Sequence, residues 1–205
     1  INCVSMFFPA KSSIALVGES GAGKSTILDI LTLINKPTKG NFYIDEVNSA
    51  NINLQYWRNQ IGFVSQDTVI FDDTIANNIS LWNINNLSKD IYFDKVRAAA
   101  QKAYLSKFID SLPKGYETIV GERGVRLSGG QKQRLFLARE LFREPKLLIL
   151  DEATSSLDSI SEIEIQKSIN SLKGKITIII IAHRLSTIKN VDYLYYLDHG
   201  KIIEE

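Results

Sequence analysis

Short apolar runs rich in β-branched side chains alternate along this chain with longer stretches whose apolar residues recur every three or four positions. The first kind has strand length, and the second has the period of a helix buried on one side. "SIALVG" (13–18) predicts a strand, a glycine-rich turn follows, and "KSTILDILTLI" predicts a helix. "GNFYIDE" predicts a hairpin strand and "IGFVSQ" (61–66) another strand. "KLLILDE" (146–152) and "KITIIIIAH" (175–183) predict two buried strands, and "YLYYLDHGKIIEE" a closing hairpin that turns at Asp198-His199-Gly200. This alternation specifies an α/β fold with a mainly parallel sheet. Phe7 and Phe8 read as strand core, and Cys3 as a small buried hydrophobe.

From Asp67 to Glu144 the strand signal is sparse, and "KDIYFDKVRAAAQKAYLSKFIDSL" is strongly helical. We read 67–144 as a helical subdomain inserted between two sheet strands. Residues 1–66 and 145–205 then form the α/β core with a small antiparallel β portion. Pro145 marks the return to the sheet, because proline ends helices and biases the preceding residue toward extended backbone.

One helix starts badly. In "LSGGQKQRLFLARE" (127–140) the residues from Gln131 onward are good helix formers, yet Gly129 and Gly130 each cost roughly 1 kcal/mol against alanine. Ser128 and Gln131 have the spacing of a capping box, which leaves the remaining N–H groups of the first turn open to an anion.

A complete phosphate cradle already lies elsewhere. "GESGAGKST" (18–26) matches G-x-x-x-x-G-K-[ST] between a predicted strand and a predicted helix. In this cradle Gly18, Glu19, Ser20, Gly21, Ala22 and Gly23 turn the backbone so that its N–H groups point at an anion. Lys24 reaches the β- and γ-phosphates, the Ser25 hydroxyl suits Mg²⁺, and Thr26 continues the helix whose dipole favours the anion. "LLILDE" (147–152) places two carboxylates at the C-terminal tip of a buried strand, where open parallel sheets bind ligands. Asp151 is assigned to Mg²⁺ through its water shell, and Glu152, facing the other way, to the general base. A single nucleotide has little need of a second helix terminus from the same chain. Two copies facing head to tail resolve this, with the Ser128 helix of one closing over the γ-phosphate held by the other.

Composition narrows the classes. The net charge of +1 and the 44% apolar content exclude a disordered chain and a polybasic nucleic-acid surface. The lone Cys3 allows no internal disulfide. No run approaches the roughly 20 apolar residues of a membrane span. With neither an initiator Met nor a charged leader, the sequence reads as a segment of a larger polypeptide.

Together these motifs resemble the nucleotide-binding domain of an ATP-binding cassette (ABC) transporter, and the resemblance covers nearly the whole chain. "GESGAGKST" is similar to the family's Walker A, "LSGGQ" (127–131) to its signature and "LLILDEAT" (147–154) to its Walker B. "SSLD" (155–158) resembles the D-loop, "VSQD" (64–67) the Q-loop and "IAHR" (181–184) the H-loop. "VIFDDTIANNI" (69–79), "TIVGERG" (118–124) and "AHRLSTI" (182–188) resemble the exporter branch.

The resemblance implies a P-loop NTPase, RecA-like core that hydrolyses ATP with Mg²⁺. Gln66 would contact Mg²⁺ and the attacking water, His183 the γ-phosphate, and Asp158 the dimer interface. Ser128, Gly129, Gly130 and Gln131 would contact nucleotide from the opposite subunit, favouring a homodimer. It also implies a transmembrane domain, fused N-terminally, whose coupling helices dock near the Q-loop and X-loop, and a place on the cytoplasmic face of a membrane. The family's adenine-stacking aromatic has no counterpart in 1–17 and is expected upstream of Ile1. A soluble relative acting on nucleic acid would carry coiled-coil insertions or tandem cassettes, and neither is present. A purely regulatory module would have lost some of Lys24, Gln66, Asp151, Glu152 and His183.

Overall fold

The computed structural model describes residues 1–65, 69–83, 88–122, 124–151, 158–182 and 188–204. In chain order the strands are β1 (Ser13–Gly18), β2 (Tyr43–Ile44), β3 (Val47–Asn48), β4 (Ile61–Val64), β5 (Asp73–Thr74), β6 (Ile119–Val120), β7 (Leu147–Asp151), β8 (Thr177–Ile181), β9 (Tyr193–Asp198) and β10 (Lys201–Glu204). The helices are α1 (Lys24–Leu31), α2 (Leu54–Asn59), α3 (Ile75–Ser80), α4 (Lys89–Lys102), α5 (Ser106–Asp110), α6 (Gly129–Phe142) and α7 (Ser159–Leu172).

Six strands form one sheet in the order β10-β9-β1-β8-β7-β4, parallel except for β10 at the edge. The inner strands β1, β7 and β8 carry unbroken apolar runs, Ile14–Val17, Leu147–Leu150 and Ile178–Ile181, because both faces are covered, as parallel sheets require. Alternate residues feed two cores. Ile14, Leu16, Ile149, Ile179 and Ile181 pack with Ile27, Leu28 and Leu31 of α1. Leu148, Leu150, Ile178 and Ile180 pack with Leu135, Leu137, Ala138 and Leu141 of α6 and with α7. The register supports the split, since Ile179 lies opposite both Ile14 and Ile149. The cradle helix and the signature helix therefore pack on opposite faces of one sheet.

The helices α3 to α6 come between β4 and β7, which are neighbours in the sheet, and share a core with its α6-side face. Local capping starts helices on both sides of β4. Asn53 Oδ1, Thr74 Oγ1 and Ser88 Oγ accept from Tyr56, Asn77 and Ile91 N–H at the heads of α2, α3 and α4. The predicted β-strand at "GNFYIDE" is only the two-residue β2, paired with β3 across Asp45 and Glu46, both at positive φ. β5 and β6 form an equally short pair.

Two expectations at the start of the chain are corrected. Phe7 is not strand core; it is 72% exposed and outside any strand. Its backbone N–H donates to Tyr195 Oη and its carbonyl accepts from the same hydroxyl, so a side chain replaces the strand ladder. Phe8 is half-buried outside a strand, its ring 5.9 Å from that of Tyr195. Cys3 is exposed, since residues 1–12 lie outside the sheet.

A carboxylate fastens β1 to the start of β9. Ser13 N–H and Oγ both donate to Asp192 Oδ2 at 2.7 Å, and Asp192 N–H donates back to Ser13 O at 2.8 Å. The Ser13 side-chain and backbone donors hold the Asp192 carboxyl below the ordinary value of 3.8. A lowered folded value stabilises the fold above the unfolded value, and the effect is lost as pH falls through the lowered one. An Asp192→Asn variant is therefore expected to be less stable than the parent at pH 7, with the gap closing below about pH 4. Urea midpoints of the two proteins across that range check this; a gap independent of pH would contradict it.

Candidate functional site

The phosphate cradle stands as the β1–α1 turn. Gly18 ends β1 so close to the Leu197 carbonyl of β9 that a Cβ would overlap it, which fixes glycine there. Gly23 precedes α1 at φ 109, and no side chain caps the helix. The first-turn N–H groups of α1 thus have no capping side chain and face the cradle mouth with the positive end of the helix dipole. Ala22 is buried beneath the loop, where its carbonyl accepts from Gly200 N–H. Glu19, Ser20, Gly21, Ser25 and Thr26 are exposed around the rim.

Lys24 is only 7% exposed, and its ammonium donates to Gly18 O at 2.7 Å and Glu19 O at 2.9 Å. It braces the loop from within. Ser25 and Asp151 line one cleft of about 450 Å³, with Leu28, Arg58 and Phe63 among its other walls. A hydroxyl and a carboxylate sharing a cleft beside a phosphate loop fit Mg²⁺, which takes few protein oxygens and completes its shell with phosphates and water. Among the described residues no group of three His, Cys, Asp or Glu forms an all-protein cage.

Gln66, Glu152 and His183 lie outside the described residues. The residues before them are described. Ser65 follows β4, Asp151 ends β7 and Ala182 follows β8. Together with Gly18 on β1 they occupy the C-terminal tips of four strands that are neighbours in the sheet, the edge where open parallel sheets bind ligands.

The signature helix carries the expected capping box: Ser128 N–H donates to Gln131 Oε1 at 2.8 Å, and Gln131 N–H donates to Ser128 Oγ at 3.3 Å. Ser128 and Gly129 are exposed, and Gln131 is half-buried. Gly130 is different. It is buried against Ser161 of α7, and a Cβ would overlap Ser161 Oγ and Cβ. Packing, not ligand access, explains the missing side chain at this position. The same Ser161 donates its N–H to Asp158, the cap of α7, at 3.2 Å. Hydrogen bonds from Ser161 lower the Asp158 carboxyl below the usual range. Ser161 thus links Gly130 to Asp158, and an Arg134–Glu164 ion pair ties the same two helices.

Sequence reading missed the polar ties of α6 to β4 and to the segment after it. Gln133 Nε2 donates to Ser65 O at 3.2 Å, and Phe63 N–H donates to Glu140 Oε2 at 3.3 Å. Burial raises the Glu140 carboxyl, opposed by Arg143 nearby. Arg139, 4% exposed, bonds to Val69 and Asn78. Its desolvation lowers the guanidinium below its ordinary range, partly offset by Glu140. A signal existed: Arg139 falls four residues after buried Leu135 and three before buried Phe142, on the inward stripe.

A family described as ABC transporter matches residues 1–155. An "ATP-dependent lipid A-core flippase" of Haemophilus influenzae (strain 86-028NP) is 46% identical over 204 residues, covering 100% of this chain and 34% of that protein. The "ATP-binding cassette sub-family B member 10, mitochondrial" of Mus musculus is 45% identical over 200 residues, covering 98% of this chain and 28% of that protein. The solved "Structure of a bacterial Atm1-family ABC exporter with ATP bound" superposes with a TM-score of 0.84 at 42% identity, covering 98% of this chain and 34% of that one. The chain thus spans about a third of the length of these relatives.

Proposed function

The chain belongs to the ABC transporter family, and from that premise we propose that it pairs head to tail with a second copy around two Mg-ATP to drive export or flipping of a cargo across a membrane. It is an exporter-type nucleotide-binding domain with a P-loop α/β core. The observation that carries the paired reading is the separation of the two anion-seeking helix starts, with α1 and α6 on opposite sheet faces and Ser128 and Gly129 exposed. We take 67–144 as a helical subdomain on an α/β core of 1–66 and 145–205.

In this reading the loop N–H groups from Gly18 to Thr26 hold the phosphates, and Lys24 turns from its two carbonyls to the γ-phosphate. Ser25, Asp151 and Gln66 would hold Mg²⁺, which would supply positive charge against the transferring phosphoryl group. Glu152 takes the proton of the attacking water, and His183 orients that water against the γ-phosphate. Ser128, Gly129, Gly130 and Gln131 present N–H and hydroxyl donors from the opposite copy. Asp158 lies beside that end through Ser161 and links the two sites.

Val69, Phe71, Trp82 and Ile119 are exposed apolar residues on and around the β5–β6 pair. They support docking of a transmembrane domain, fused N-terminally in the intact protein, with this domain on the cytoplasmic face. Lipid, lipid-linked sugar, peptide and drug are the cargo classes, and lipids come first because several relatives are named as lipid A-core flippases. Phosphate release by the full-length protein, purified from detergent-solubilised membranes, is expected at on the order of 1–10 per second with Mg²⁺. ATP retained without phosphate release would establish a regulatory module instead.

A further inference from the structure

Arg139 lies three turns along α6 from Ser128, about 16 Å by helical rise. Among the described residues, its hydrogen bonds go to one segment. Nε donates to Asn78 O at 2.8 Å, Nη1 to Val69 O at 3.0 Å and Nη2 to Asn78 Oδ1 at 3.2 Å. The guanidinium also lies over the Phe71 ring, 5.4 Å from its centroid, and over the Phe136 ring at 4.9 Å.

Asn78, fully buried, extends this grip over the loop. Its Nδ2 donates to the carbonyls of Phe71 at 3.0 Å, Asp73 at 3.3 Å and Thr74 at 3.0 Å, and its Oδ1 accepts from Phe71 N–H at 2.9 Å. The Asn78 carboxamide thus holds the backbone of 71–74, and one buried guanidinium ties both Asn78 and Val69 to α6. A buried arginine is costly unless hydrogen-bonded, and among the described residues its bonds join one rigid element to one loop. The outer side of that loop is the exposed apolar surface of Val69 and Phe71.

We propose that Arg139 is a positioning residue which, through Asn78, makes residues 69–78 move with α6, so that engagement of the Ser128 end by nucleotide is transmitted to the Val69–Phe71 surface. This rests on the reading of Ser128 as a nucleotide contact between paired copies. Lysine at 139 keeps the charge but loses the fork, and Asn78→Asp keeps an acceptor for Arg139 while removing the donor to three carbonyls.

The test is hydrogen exchange on the full-length protein in lipid nanodiscs, with and without Mg²⁺ and adenylyl imidodiphosphate. Peptides covering 127–131 and 70–80 are read. In the parent both are expected to slow about tenfold with nucleotide. In Arg139→Lys the first should still slow, whereas the second should change by less than about twofold. Mere local loosening would raise exchange at 70–80 in both conditions and preserve the ratio, so the ratio is the readout. If Arg139→Lys exchanges fast throughout its core, Asn78→Asp carries the test with the same expected split. Retention of the parent's response at 70–80 in the folded variants overturns the proposal. Absence of any response at 127–131 in the parent overturns the Ser128 reading itself, and the proposal with it.

Discussion

Glu152→Gln is expected to keep ATP binding within about a factor of three while cutting phosphate release roughly a thousandfold. The swap preserves size and polarity and removes only the capacity to take a proton. Asp151 ends β7, half-buried and lining the cleft with Ser25. In the proposed reading Asp151 serves the metal and Glu152 takes the proton of water. Binding, in the same proposed reading, rests on Lys24, the loop N–H groups and the α1 dipole. Equilibrium binding of a fluorescent ATP analogue, beside single-turnover phosphate release, separates the two effects. Turnover near the parent's would remove Glu152 from the base role, and weakened binding of the same size would make it a binding residue. In paired copies the variant should also accumulate the closed form, visible as a nucleotide-dependent rise in molecular mass.

Gly130→Ala should cost about 1–3 kcal/mol of stability through overpacking and lower hydrolysis about a hundredfold by displacing the donors at the helix start. The added methyl meets Ser161 Oγ and Cβ of α7, and Ser161 also bonds the Asp158 cap. The disturbance therefore reaches both elements assigned to the interface. Gly129→Ala makes the contrast, since Gly129 is exposed. It should leave the denaturation midpoint nearly unchanged and lower only nucleotide-dependent turnover. Thermal melts and phosphate release on both variants distinguish the two glycines. If Gly130→Ala matched the parent in melting, the packing account of that glycine would fail.

What the sequence revealed was what local chemistry encodes. Uninterrupted apolar runs marked β1, β7 and β8 because strands buried on both faces need no polar position. The cradle and the Ser128–Gln131 cap were legible because each is a contiguous motif whose bonds close within a few residues. The sheet order was not, since pairing β1 between β8 and β9 depends on residues more than 160 positions away. Nor was the failure of Phe7 as strand core, which a single distant hydroxyl on Tyr195 decides. Gly130 was read as bare for a ligand because its neighbour Ser161 lies on another helix. Arg139 and Asn78 escaped notice because a charge in a helix and an amide after a turn look solvated until burial is known.

The placement of α1 and α6 on opposite faces of one sheet has an energetic consequence. For a lone copy to fold its Ser128 end over its own phosphates, α6 would have to leave the core that Leu135, Leu137, Ala138 and Leu141 help to build. Each large side chain exposed in that way costs about 1.5–3 kcal/mol, and the sum rivals the whole stability of a domain. Self-closure would therefore amount to partial unfolding, while docking with a twin leaves every core contact in place. On the proposed reading, solitude is unproductive and two copies make the smallest working unit.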